Sequence, residues 1–178
     1  MILKRFFCVS IVVFSFLLAS FTLPNKLLKK VNKEVKNVFD ITDFKLKSIK
    51  IEDAINNKLP SKIGVNSLFK IESNLKLIGY AYIDKAPSKT DEFDYLILLD
   101  ENLIITKTKV LVYREDYGGE IGSKRWLKQF IGKTSVDTLK YEKDIIAISG
   151  ATISALSMTK SVNSFLLNLD VLHLNKVL

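Results

Sequence analysis

A single cysteine, Cys8, and a single histidine, His173, among 178 residues remove whole classes of chemistry. One cysteine closes no disulfide within the chain, and because Cys8 sits in the N-terminal apolar stretch, a metal site would have to be built from carboxylates alone. A Ser-His-Asp hydrolase would have to use His173, which reads more simply as a surface residue. Internal repeats and low-complexity tracts are also missing. What remains is a chain of ordinary globular composition, 48% hydrophobic, and long enough for one domain with a real core.

The formal charge of +8 invites a nucleic-acid reading, but the excess is unevenly placed. Residues 1–40 hold seven basic side chains (Lys4, Arg5, Lys26, Lys29, Lys30, Lys33 and Lys36) against Glu34 and Asp40, leaving 20 basic and 17 acidic residues for the rest. A body so close to neutral lacks the electrostatic footprint that phosphate-backbone binding requires, so no nucleic-acid partner is expected.

The basic N-terminus has another explanation. After Lys4 and Arg5, the run from Phe6 to Pro24 carries no charge, and the next charged residue is Lys26. A short cationic segment ahead of an apolar stretch of this length marks residues 1–24 as a signal peptide or a membrane anchor. Ala19 and Ser20 are small residues near a possible cleavage point, but no Ala-x-Ala precedes it, so an uncleaved anchor helix stands beside the cleaved leader. A buried core helix fits the two leading cations less well. The lysines that follow the stretch would hold an uncleaved chain in the cytoplasm by the positive-inside rule; the second half of the sequence argues for the outside. Cys8 lies too early, behind Phe6 and Phe7, to be a lipoprotein cysteine.

Residues 25–66 read as a basic stalk or accessory segment. Leu28, Val31, Val35, Val38 and Phe39 recur at helical spacing, and the lysines between them are either a solvated face or a contact for anionic lipid heads. From residue 67 to 178 the pattern becomes that of one domain. LFKIES, LKLIGYAYID, FDYLILLD and LIITKTKVLVYRE are rich in β-branched and aromatic residues and are broken by Ser73-Asn74, by the loop around Pro87, and by Asp100-Glu101-Asn102. The expected fold is α+β: a twisted antiparallel sheet in meander order with flanking helices, preceded by the apolar leader or anchor helix. Downstream, Ser123 is a candidate N-cap, Trp126, Leu127 and Phe130 a buried face, and Gly132 a helix stop. The final helix should bury Ala155, Met158, Val162, Phe165, Leu166 and Leu169.

Two segments carry candidate chemistry. In Ile145–Thr152 a strand-like apolar piece runs through Ser149, Gly150 and Ala151 into the final helix, with Thr152 at its start. Free backbone N–H groups and the positive end of the helix dipole converge at such a turn, which is suited to an anion such as a phosphate. The plainer alternative is that Ser149 caps the helix. The second segment, Glu115–Gly122, brings Gly118 and Gly119 close to any flat ring, with Glu115 and Tyr117 able to stack on it or bond its edge; alternatively it is a surface loop.

SGATIS at residues 149–154 resembles the flavinylation motif of the FMN-binding domain family, found in the peripheral subunits of the Rnf complex and of the sodium-translocating NADH:quinone reductase. LKLIGYAYID, FDYLILLDENLIITKTKVL and REDYGGEIGSKRWLKQFIGK resemble further segments of that family, in its order, from about Ser67 to Leu169. The resemblance implies FMN esterified through its phosphate to Thr152 by a flavin transferase. It also implies electron relay to or from a membrane redox partner, on the outer side of the cytoplasmic membrane or in the periplasm, as a redox-complex subunit rather than a stand-alone enzyme. Ile146 stands where the family usually has an aspartate, six residues before the threonine, and Asp144 lies two positions earlier. The other function class is a non-redox, membrane-tethered module that keeps the fold without flavin.

Overall fold

The computed structural model describes residues 23–178, so the leader or anchor expected over residues 1–24 falls almost wholly outside the described part. Five strands, β1 (Lys45–Ser48), β2 (Leu68–Ser73), β3 (Lys76–Pro87), β4 (Glu92–Asp100) and β5 (Ile105–Val112), form one antiparallel sheet in the order β1-β2-β3-β4-β5. The α+β reading and the meander are therefore correct. The β2–β3 turn holds Asn74 at φ +50° and Leu75 at φ +64°, the left-handed pair that suits a two-residue hairpin.

Both sheet faces are covered, which is why β4 is buried at every position from Phe93 to Leu99 and why alternation in β5 is only partial. On one face Ile71, Ala81, Ile83, Leu96, Leu98 and Leu111 meet Leu27, Val31 and Val35 of helix α1 (Asn25–Phe39). On the other, Tyr82, Tyr95, Ile97 and Leu99 meet helix α4 (Thr152–Leu174). Tyr82 stacks on Phe165 with ring centroids 3.9 Å apart and planes 4° from parallel. All six residues expected on the buried face of α4 are buried.

Residues 25–66, expected as a stalk or an accessory segment, pack against the sheet. α1 is laid along the sheet by Leu27, Val31 and Val35, and β1 pairs with β2. After the short helix α2 (Asp53–Asn56), Leu59 and Ile63 enter the core beneath α4. The buried side chain of Asn168, in α4, accepts from the Ser61 N–H at 3.2 Å and donates to the Ser61 carbonyl at 2.7 Å, fastening the two segments across 107 residues. The periodicity that suggested a helix was right; the sequence alone holds no sign of the surface that covers it.

Helix α3 (Lys124–Leu127) follows the expected rules. Ser123 Oγ accepts from the Trp126 N–H at 3.3 Å, Trp126, Leu127 and Phe130 are buried, and Gly132 follows at φ +80°. The piece Ile145–Ile148, expected as a strand, is not one: it makes a single parallel bridge, Tyr141 to Ile145. Local turn bonds hold Ile145, and side chains hold Ile146: Trp126 Nε1 donates to the Ile146 carbonyl at 2.6 Å and the Ile146 N–H donates to Gln129 Oε1 at 2.9 Å. Among the described residues no helix is long and apolar enough to cross a membrane.

Candidate functional site

The register that pairs Pro87 with Glu92 sets the β3–β4 hairpin loop at one end of the sheet, and β5 runs antiparallel to β4 to end at the same side. Three segments therefore converge there: residues 88–91, residues 113–119 after β5, and the turn that starts α4. They enclose an open cleft of about 400 Å³, lined among others by Lys89, Tyr113, Tyr117, Thr152 and Ile153.

The two glycine segments meet in physical contact. Gly118 has φ +79°, and a Cβ there would lie 2.9 Å from the Ala151 Cβ, 3.0 Å from the Tyr113 hydroxyl and 3.1 Å from the Gly150 carbonyl oxygen. Only glycine fits both the backbone angle and the space. Gly150, at φ +78°, has open space around it, so its need is conformational alone.

Around this contact the walls are tied together. Glu115 Oε1 accepts from the Thr90 N–H at 2.7 Å and from Thr90 Oγ1 at 3.3 Å. Hydrogen bonds from the Ser88 side chain and the Thr90 N–H hold the Glu115 carboxyl below the usual glutamate range. Tyr113 and Ser154 share a hydrogen bond of 3.1 Å, and Ser157 Oγ donates to the Pro87 carbonyl at 2.5 Å, joining α4 to the hairpin.

Of the residues singled out in the sequence, Thr152, Gly150, Ala151, Glu115 and Tyr117 line the cleft and Gly118 packs behind it. Ser149 and Gly119 do not line it. Nor does Ser149 cap the helix: the capping position is Ala151, at φ −130°, which has no side-chain acceptor to offer. The first-turn N–H groups of α4 are thus left to whatever occupies the cleft or to water. Thr152 is exposed at the first helical position. Lys89 and Tyr113 are cleft residues that lie outside both candidate segments, and Ile153 and Ser154, the last two residues of SGATIS, line it as well. The signal for Lys89 was the strand register, since a loop between two long paired strands must lie beside the segment leaving the third.

An uncapped helix start, a lysine and a wall of two tyrosines and an isoleucine define a site for an anion attached to a flat, largely apolar ring. Residues 89–167 match the family model of the FMN-binding domain, the family that the motifs resemble. Comparison with curated proteins finds no match. The matched span contains every cleft residue, and FMN is the domain's cofactor. The residues fit that group: the α4 turn and Lys89 suit the phosphate, and Tyr113, Tyr117 and Ile153 offer faces for the ring.

Proposed function

We propose that the protein is an exported or membrane-anchored flavoprotein that carries FMN covalently on Thr152 and relays electrons on the outer side of the cytoplasmic membrane. The observation that carries this reading is the position of Thr152: exposed at the uncapped start of α4, inside the cleft, within the span that matches the FMN-binding domain. An exposed hydroxyl is accessible to a flavin transferase, and the neighbouring N–H groups stabilise the phosphate it would carry. FMN supplies the redox chemistry when bound; Lys89, Tyr113, Tyr117 and Ile153 orient it and screen one side from water. The proposed partners are the transferase and a membrane redox protein.

The test is flavin fluorescence of the denatured protein after expression with a flavin transferase. Wild type should keep its flavin through denaturation, and Thr152→Ala should lose it while Ser149→Ala and Ser154→Ala retain some. Flavin that survives in Thr152→Ala moves the attachment elsewhere; flavin lost from wild type on denaturation leaves FMN binding and removes the ester.

A further inference from the structure

We propose that the outward face of α1 is a docking surface for a bilayer bearing anionic headgroups. With Leu27, Val31 and Val35 turned into the core, the helical repeat sets Lys26, Lys29, Lys33 and Lys36 in one row on the opposite side, flanked by Lys30. All five are exposed. Lys30 Nζ donates to the Leu111 carbonyl at 2.6 Å, whereas the side chains of the four lysines of the row have no hydrogen bond or ion pair among the described residues. The acids nearby leave the row unneutralised: Glu34, on the helix flank, pairs with Lys107 at 3.8 Å, and Asp43 shares a groove with Lys36 without bonding it.

Such a helix is at odds with its own electrostatics. Like charges three and four residues apart repel. The first turn holds no acidic residue, so Lys26 and Lys29 stand at the positive end of the helix dipole. Stability comes from the packed face, which leaves the charge row free to serve an external anion. The occupant is indicated by position: α1 begins at Asn25, directly after the uncharged run from Phe6 to Pro24. A basic row that follows an apolar stretch meets headgroups, and each lysine near an anionic surface strengthens contact roughly fivefold. Docked in this way, the sheet stands between the bilayer and α4. The proposal needs neither FMN nor its ester.

The full-length protein, mixed with or reconstituted into vesicles of phosphatidylcholine alone or with phosphatidylglycerol, can be footprinted by lysine acetylation read by mass spectrometry. Reaction at Lys26, Lys29, Lys33 and Lys36 should slow severalfold on the anionic vesicles only, and recover at high salt. Lys124 and Lys160, exposed on α3 and α4 across the sheet, should not change. The double variant Lys29→Gln, Lys33→Gln should lose protection of Lys26 and Lys36 at lower salt. Equal reactivity on both vesicles, equal slowing of all lysines, or protection by a soluble acidic polymer but not by vesicles would each overturn the proposal.

Discussion

At the scale of single residues, Ile146 holds the open question of this site. Its backbone is pinned on both sides by Trp126 and Gln129, yet its side chain is 70% exposed. A carboxylate there would stay in water, so Ile146→Asp should fold without a burial penalty. Asp144 is otherwise engaged: its Oδ2 accepts from the Lys140 N–H at 2.8 Å and closes the local turn. If a transferase reads a carboxylate ahead of the turn, a charge-assisted contact of about 1.5–3 kcal/mol is at stake. With transferase limiting, Ile146→Asp should raise the flavinylated fraction and Asp144→Asn should leave it nearly unchanged, as measured by in-gel fluorescence. A sharp fall for Asp144→Asn would assign the role to Asp144 instead. Legibility at this scale was uneven: Gly118 and Gly150 could be read because turn geometry restricts residue type, and Thr152 through the resemblance of SGATIS, whereas Lys89 and Tyr113 lie in neither glycine segment and reach the cleft only through the strand register.

Among the elements, α1 marks the limit of what periodicity conveys. The spacing of Val31 and Val35 gave a helix, but an apolar stripe is equally consistent with self-association or with a lipid surface, and only the sheet's second face explains it. If α1 is part of the fold, Val31→Ala and Val35→Ala, both fully buried in wild type, should each cost about 1–3 kcal/mol in chemical denaturation. A projecting stalk would leave the midpoint unchanged. The strands were legible for the opposite reason: turn residues and β-branched runs are local signals. Ile145–Ile148 carried the same apolar signal and misled, since strand propensity creates no pairing partner and the indole of Trp126 took the carbonyl first.

For the molecule as a whole, pH should define a stability plateau with two different edges. Glu115 and Asp137 titrate below their ordinary ranges, Glu115 through the hydrogen bonds of Ser88 and Thr90, Asp137 chiefly through the Thr134 N–H and then Lys133. Folded carboxyls with depressed pKa add stability that is present above their unfolded values and lost as pH falls through the folded ones, so melting temperature should decline below about pH 5. Glu115→Gln and Asp137→Asn should each flatten that slope. At the other edge, burial raises the Tyr82 and Tyr95 hydroxyls above the ordinary 10.0. Their contribution is complete below that value and is lost as pH rises beyond it, so the alkaline edge should begin near pH 10 and Tyr82→Phe should soften it. Thermal melts across pH would read both.

The Asn168–Ser61 clasp implies an order of folding. Each strand of the sheet pairs with the one made just before it, so the meander can assemble by short loop closures as the chain lengthens. The contact across 107 residues cannot form until α4 exists, and until then Tyr82, Tyr95 and Leu99 have no helix to cover them. The helix that makes this last, slow closure is also the one that begins at Thr152 and supplies one wall of the cleft. A nascent chain short of α4 has neither the Thr152 hydroxyl nor the cleft, so on the proposed function flavin would be attached only to molecules in which α4 is complete.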